Sequence, residues 1–182
     1  LVQITAPTAG GVSRNLYTHF NVPEKGAVLN NAHKVTNTQL AGYVQANPNM
    51  VRGTAKLIVN EVTGSGRTAM NGFLEVAGDR AGVIVANPNG IAVNGGGFLN
   101  TSRTILTTGR LIYDASGRVT DVTVAGGRIQ VAGKGLDASQ TDQVDLLAQA
   151  VQVNAGIWAK EAHVVTGRNR IAYDGLQVTP LP

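Results

Sequence analysis

The sequence predicts an all-β protein: a right-handed parallel β-helix with an N-terminal cap and small β elements outside the helix. Short apolar runs rich in β-branched residues recur along the chain, such as Val83-Ile84-Val85 and Ile129-Gln130-Val131. Gly- and Asn-rich turns bound these runs, instead of the two-residue turns that join long hairpin arms. In the C-terminal half, Gly-x-Ile/Leu-x-Val/Ala recurs in a loose repeat of about twenty residues, a period typical of solenoid coils, with members that start at Gly127, Gly135 and Gly156.

The individual elements follow from the same pattern. Residues 1–21 carry Tyr17 and Phe20 and break the repeat, so they are expected to cap the open end of the stack, which would otherwise promote aggregation. Residues 38–45 are compatible with one or two helical turns. Residues 144–153 are predicted to form one strand, because their apolar side chains fit a period of two.

Composition predicts one folded domain over residues 1–182. Apolar residues make up 43% of the chain and charged residues 14%, against roughly 25% charged in an ordinary globular domain. The chain has 23 glycines but only three Phe, one Trp and four Tyr. The core must therefore consist mainly of Val, Ile, Leu and Ala.

Charge and cysteine content limit the function classes. The net charge is +4, but the basic residues are scattered and not interleaved with aromatic residues, so a nucleic-acid surface is not expected. The absence of cysteine excludes a disulfide framework, thiolate catalysis and cysteine-based zinc sites. The chain starts at Leu1 without a basic n-region or apolar h-region, which predicts a mature or shortened form whose signal peptide, if it has one, is absent from this chain. Its apolar runs are too short to span a bilayer.

Candidate catalytic and metal-binding residues are few. The histidines, at positions 19, 33 and 163, are isolated from one another, so no metal or cofactor site is predicted. The only group of acids is Asp137, Asp142 and Asp145. A β-helical polysaccharide-cleaving enzyme would need such acids to converge in a groove with a basic residue. The sequence thus predicts no catalysis and no small-molecule substrate.

Two similar turn sequences are the most distinctive motifs, Asn47-Pro48-Asn49-Met50 and Asn87-Pro88-Asn89-Gly90-Ile91. Proline fixes φ at the second position, and asparagine or glycine accepts a positive φ at the third or fourth. Each motif is therefore predicted to form a tight β-turn.

Several further segments occur together with these motifs in a fixed order. They are Gly11-Val12-Ser13-Arg14-Asn15, Phe20-Asn21-Val22, Leu29-Asn30-Asn31, Ile58-Val59-Asn60-Glu61-Val62-Thr63, Gly97-Phe98-Leu99-Asn100-Thr101 and Leu106-Thr107-Thr108-Gly109-Arg110. With the two turn motifs, this order resembles the two-partner secretion (TPS) domain of filamentous-haemagglutinin-like exoproteins, over nearly the whole chain. Within that family, the segments at 59–63 and 106–110 look most similar to the effectors of contact-dependent growth inhibition.

The resemblance implies a function and a partner. Such a domain is captured in the periplasm by a cognate outer-membrane β-barrel transporter with POTRA-type modules. It crosses the outer membrane unfolded and then folds at the cell surface as a β-helix that seeds the filament behind it. The resemblance also ties the two turn motifs, 47–50 and 87–91, to secretion. The transporter reads them directly, or they form turns that folding requires. A monomer without a cofactor is expected.

Two departures from the family pattern and two rival functions complete the prediction. Met50 stands where leucine is more usual, a volume-conserving exchange. Residues 94–97 are Asn-Gly-Gly-Gly, where some growth-inhibition relatives carry a cysteine pair. The first rival is an adhesin that binds a receptor or glycan, and it would need an exposed aromatic platform, for which Trp158 is weak support. The second rival is the carbohydrate-active enzyme that the three acids would require.

Overall fold

Three sheets of parallel strands wind around one apolar core in the computed structural model, which describes residues 1–182. Sheet A contains, in spatial order, β1 (Val2–Gln3), β3 (Ala27–Asn31), β8 (Phe73–Gly78), β11 (Gly96–Leu99), β16 (Leu136–Ala138) and β19 (Ile157–Ala159). Sheet B contains β2 (Val12–Tyr17), β6 (Leu57–Val62), β9 (Ala81–Ala86), β12 (Thr101–Thr107), β17 (Gln143–Leu147) and β20 (Ala162–Val165). Sheet C contains β7 (Thr68–Met70), β10 (Ile91–Val93), β15 (Arg128–Val131) and β18 (Ala150–Val153). The chain visits the sheets in the order A, B, C, so each circuit is one coil of the predicted β-helix.

Aliphatic ladders fill the inside of the helix. Alternate side chains of each strand point inward, and strands of neighbouring coils pair in register. In sheet C, Ile91 lies beside Ile129, which lies beside Val151. In sheet A, Phe98 lies beside Leu74. These side chains belong to, or pack against, one buried cluster that runs through the coils.

The repeat of about twenty residues corresponds to one coil in the C-terminal half. Leu136 pairs with Ile157, and Val144 pairs with Ala162. The segments that start at Gly135 and Gly156 are thus stacked on each other in sheet A. The segment that starts at Gly127 belongs to sheet C, where Ile129 pairs with Val151. The spacing of about twenty residues is therefore confirmed for the segments at Gly135 and Gly156, whereas the segment at Gly127 lies in the same coil as the one at Gly135.

The inner strands of sheet B, β6, β9, β12 and β17, are largely buried on both faces. An antiparallel sheet covers its outer face and contains, in spatial order, β13 (Arg110–Tyr113), β14 (Val119–Val124), β21 (Asn169–Ala172) and β22 (Val178–Pro180). Val59, Ile84 and Ile105 of sheet B join Val122 and Ile171 of this second sheet in a separate buried cluster. Burial on two faces explains why β9 reads as an unbroken run of small and apolar residues.

A small hairpin corrects the helical prediction for residues 38–45. The chain forms β4 (Thr36–Thr38) and β5 (Gly42–Val44), which pair antiparallel on the outside of sheet A. The buried carboxylate of Glu75 accepts hydrogen bonds from the backbone N–H groups of Gln39 (2.8 Å) and Leu40 (2.9 Å). Glu75 thus provides hydrogen-bond acceptors for two N–H groups of the hairpin loop. These groups are not left for the hydrogen bonds of a helical turn, which does not form.

The single strand predicted at residues 144–153 is wrong in its length. The chain turns a corner after Ala148 and continues as β18 in sheet C. The period-two pattern is correct inside β17, where Val144 and Leu146 point into the core. It fails beyond the corner, where Ala150 is exposed.

The N-terminal segment lies at the end of the stack, where a cap was predicted. Its strands β1 and β2 are the outermost strands of sheets A and B, and they pair in parallel with β3 and β6. Ile4, Phe20 and Met50 are buried in the main cluster at or near this end. Residues 1–21 therefore form a first coil, and Met50 from the later loop adds to the closure of the core.

Helical structure is limited to one 3-10 turn at Pro48–Met50. No helix of the structure is long and apolar enough to span a membrane.

Candidate functional site: the two asparagine-proline turns

The first turn is held by the side chain of Asn47. Its Oδ1 accepts a hydrogen bond from the backbone N–H of Asn49 (2.9 Å), which starts the 3-10 turn at Pro48–Met50. Its Nδ2 donates to the carbonyl oxygens of Ile4 (3.0 Å) and Asn30 (2.9 Å). Asn47 is 1% exposed, and all three of these hydrogen bonds join its amide group to backbone groups of the protein. The turn is thereby attached to the first coil and to β3.

The second turn repeats this arrangement at the corner between sheets B and C. Oδ1 of Asn87 accepts a hydrogen bond from the N–H of Asn89 (2.9 Å). Its Nδ2 donates to the carbonyl of Gly66 (3.0 Å) and to the hydroxyl of Thr68 (3.0 Å), both in the preceding coil. Asn87 is fully buried. Each turn thus links its own backbone to a neighbouring coil through one asparagine side chain.

Burial follows the same order in both motifs. The first and fourth residues are buried, whereas the proline and the second asparagine are exposed. The predicted tight turns are present, and Gly90 has the predicted positive φ of 114°. The expectation of a positive φ at the third or fourth position is wrong for the first motif, where neither Asn49 nor Met50 has one. The side chains of Asn49 and Asn89 donate to carbonyl groups of other coils, at 2.9 Å to Ile4 and 2.7 Å to Gly64.

Each motif borders a surface cavity that contains arginine. Pro48 and Asn49 line a cavity of about 660 Å³ that also contains Arg52. Asn89, Gly90 and Ile91 line one of about 410 Å³ that also contains Arg67 and Arg128. None of these three arginines forms a salt bridge. The exposed part of each turn therefore lies in a positively charged setting.

A set of buried polar residues around the first turn had no role assigned from the sequence. Nδ2 of Asn31 donates to the carbonyl groups of Ala55 and Asp79, and its Oδ1 accepts from the N–H of Ala55. Asn30 donates to the carbonyl of Gln45 and to Gln3. Both asparagines are fully buried. The signal was the double asparagine at the end of an apolar strand, where a buried amide must have partners.

Tyr17 closes the same end of the molecule. Its ring packs edge-to-face against Phe20 at 4.9 Å between ring centroids. Its hydroxyl donates to Oδ1 of Asn60, 2.9 Å away. Burial raises the pKa of Tyr17 to about 12, because the phenolate would lose its hydration there.

The three candidate carboxylates do not share a groove. Asp142 pairs with Arg80 (2.9 Å), and this hydrogen bond lowers the pKa of Asp142. Asp145 is fully buried and accepts hydrogen bonds from Arg103 (2.8 Å) and Gln143, with His163 at 3.0 Å. Asp137 accepts from Ser139. No group of three or more His, Asp or Glu side chains lies close enough together to hold a metal ion.

The fold and the paired turns define a class of protein: a β-helical domain whose distinctive residues shape turns and connect coils. The chain belongs to the TPS secretion-domain family, because the model of that family matches residues 1–180. The crystal structure of a filamentous hemagglutinin secretion domain has the same fold, with a TM-score of 0.90 and 35% sequence identity. That match covers 99% of this chain and 62% of the other.

Relatives confirm the resemblance predicted from the motifs. "Toxin CdiA" of Yersinia pestis is 47% identical over 93% of this chain. "16S rRNA endonuclease CdiA" of Enterobacter cloacae is 46% identical over 96% of it. "tRNA nuclease CdiA-2" of Burkholderia pseudomallei is 46% identical over 99%. The chain spans only 5–6% of the length of these relatives.

Proposed function

We propose that this chain is the signal by which a large exoprotein is recognised and exported by a cognate outer-membrane β-barrel transporter. The family match over residues 1–180 carries this proposal. Identity of 46–47% to the CdiA relatives supports a toxin of contact-dependent growth inhibition as the parent protein, and their far greater length supports a large one. The secretion domain has no part in the toxin's chemistry, which belongs to a different region of the parent.

Capture takes place in the periplasm, before the chain folds. POTRA-type modules of the transporter add segments of the chain to their own sheets as extra strands. The composition of the strands supports this mode. In β7 and β10, buried Met70 and Val93 alternate with half-exposed residues. Such a segment presents one apolar face and a free set of backbone donors and acceptors when it is extended.

The turn motifs act mainly in the folding step that follows. Asn47 and Asn87 are buried in the folded domain and use their amides on its backbone. In the unfolded chain the same side chains are accessible, so burial alone does not separate the two roles. The hydrogen bonds that each asparagine makes explain the residue type without a transporter contact, which favours the folding role.

Folding at the cell surface then proceeds away from the closed N-terminal end. Ile4, Phe20 and Met50 are buried in the core there, whereas Val151 and Ile157 of the last coil are only partly buried against it. Exposed strand edges accept further strands, and a solenoid can grow by adding one coil to the next. The domain acts as a monomer, since both of its cores are buried within one chain.

Binding to the purified periplasmic modules of the cognate transporter tests capture. The chain is presented either folded or freshly diluted from urea, and binding is followed by biolayer interferometry. We expect the modules to bind unfolded wild type and unfolded Asn87→Ala alike, and to bind the folded domain far more weakly. Loss of binding in unfolded Asn87→Ala would show direct reading of the motif. No binding to the unfolded wild type would contradict capture. The monomeric state is tested separately by sedimentation equilibrium, where a dimer would contradict it.

A further inference from the structure

A hollow of about 540 Å³ lies on the outer face of sheet A, and neither turn motif lines it. One row of side chains crosses four neighbouring strands there, since Gly97 pairs with both Phe73 and Asp137, and Asp137 pairs with Trp158. Their neighbours Leu74, Phe98 and Leu136 point into the core, so this row points outward. An aromatic ring therefore lies at each end of the row.

The two aromatic rings of this sheet A hollow pack on glycines of neighbouring strands and turns. A Cβ added to Gly97 would lie 2.3 Å from Cε2 of Phe73, so the phenyl ring covers the strand at that point. A Cβ on Gly156 would lie 2.7 Å from Cη2 of Trp158. Gly95 and Gly96 also line the hollow. Trp158 keeps 57% of its surface exposed, so its indole packs on Gly156 with one side while much of its surface remains available to a ligand.

The polar groups of the hollow have unused hydrogen-bonding capacity. Oδ1 of Asp137 accepts hydrogen bonds from the N–H (3.0 Å) and the hydroxyl (2.5 Å) of Ser139, but Oδ2 has no partner in the chain. The backbone N–H of Lys134 donates to Asn94 (2.9 Å), which fixes the main chain, whereas the ammonium group forms no salt bridge. The lining thus offers one acceptor and one donor with opposite charges that cancel.

This combination selects a ligand class. A nucleic acid would need an excess of positive charge, and the lining has none. The C–H groups on one face of a pyranose ring can pack on an indole, whose face carries negative partial charge. Sugar hydroxyls can donate to a carboxylate and accept from an ammonium group. The cavity volume lies within the range of small-ligand sites.

We infer that the sheet A hollow binds a short neutral oligosaccharide, with one pyranose ring stacked on Trp158 and its hydroxyls bonded to Asp137 and Lys134. This function goes beyond export, because it belongs to the folded domain at the cell surface. It gives the domain a weak glycan-binding activity of the kind that an adhesin uses.

Fluorescence of Trp158, the one tryptophan of the chain, reports directly on the site. The folded domain is titrated with maltotriose, cellotriose and tri-N-acetylchitotriose. We expect a saturable change in emission with at least one of them, with a Kd on the order of 1 mM. Asp137→Asn, which keeps the side-chain volume, is expected to weaken binding about tenfold, as the loss of a charged hydrogen bond predicts.

Saturation-transfer NMR of the sugar extends the test to Trp158→Ala, which lacks the fluorescent reporter. We expect this variant to lose the transfer signal, while Tyr43→Ala, at a 78% exposed tyrosine of the hairpin, keeps it. Circular dichroism checks that each variant is folded, and Lys134→Met replaces Trp158→Ala in the test if that variant is not. Absence of a saturable change with all three sugars overturns the proposal. Unchanged binding in Trp158→Ala also overturns it. A response to the control peptide trialanine, without a response to any of the sugars, would do the same.

Discussion

Buried asparagines connect the coils of this β-helix at the points where the strand ladders stop. A solenoid corner leaves backbone N–H and C=O groups without strand partners, and a buried group of that kind needs a hydrogen bond. The amide of asparagine supplies one acceptor and two donors. Asn31, Asn47 and Asn87 use both functions, accepting from an N–H of a turn or loop and donating to a neighbouring segment. Aspartate would keep the acceptor and lose both donors.

The first prediction at this scale concerns the second turn. Asn87→Ala removes hydrogen bonds to Gly66, Thr68 and Asn89 and leaves buried polar groups without partners. We expect it to lower the free energy of unfolding by about 2–4 kcal/mol. Pro88→Ala, next to it but exposed, should change the free energy of unfolding by less than about 1 kcal/mol. Urea unfolding of both variants measures the difference, and equal losses would contradict the account of the turn.

The second residue-scale prediction concerns Tyr17. Its pKa is raised to about 12 by burial, so folding favours the neutral phenol over the phenolate. Its contribution to stability is therefore complete below the pKa of an unfolded tyrosine, about 10, and is lost as the pH rises towards 12. Tyr17→Phe should weaken this alkaline decline in the thermal midpoint, with the remainder due to Tyr113 and Tyr173, whose pKa values burial also raises.

The matched control for that experiment is Tyr43→Phe, at the exposed tyrosine of the hairpin. It should leave the alkaline decline as it is in the wild type. An identical decline in the wild type and in Tyr17→Phe would contradict the account, because it would show that folding does not raise the pKa of Tyr17.

At the scale of elements, one buried carboxylate holds the hairpin formed by β4 and β5. Glu75 belongs to β8 but faces outward, and both of its oxygens accept from the hairpin loop. Val28, Val44 and Ala77 form a small cluster of their own. The hairpin is attached through few apolar contacts, so its local stability is expected to be lower than that of the main core.

Glu75→Gln tests this attachment. One acceptor is replaced by an NH₂ group that faces a backbone N–H, so the loop loses at least one hydrogen bond. We expect amide hydrogens of residues 36–44 to exchange about tenfold faster or more, a loss of about 1.4 kcal/mol in local stability. Exchange in β9 and β12 should not change. Uniform acceleration through all three sheets would instead mean that Glu75 supports the whole fold.

The elements that could be predicted from the sequence are those whose pattern lies within a few neighbouring residues. Strands such as β9 and β10 are marked by β-branched runs, and Gly90 by its place in a turn. The hairpin and the antiparallel sheet were not placed, because they depend on distant partners. Glu75 accepts a hydrogen bond from Gln39, which is distant in sequence, and β14 likewise pairs with the distant strand β21. The two motifs were correctly predicted to form turns. Their hydrogen bonds to other coils were not predicted, because no local pattern in the sequence shows which segment will be stacked against the turn.

At the scale of the whole molecule, the two ends of the helix differ. The N-terminal end is closed by Ile4, Phe20 and Met50 and by the turns that Asn47 fixes. In the last coil, Val151 and Ile157 are only partly buried against the core. Each coil of a solenoid contacts only its neighbours, so a further coil can be added at the end where the core is less covered. This difference between the ends agrees with the direction of folding proposed above.

Export of the chain, fused to a signal peptide, from cells with and without the cognate outer-membrane transporter tests the central claim most directly. The account predicts that folded wild type reaches the medium or cell surface only when the transporter is present. It also predicts that Pro88→Ala is exported like wild type, whereas Asn87→Ala reaches the outside in a form that proteases degrade. Equal release of the wild type with and without the transporter would contradict the assignment as a secretion domain.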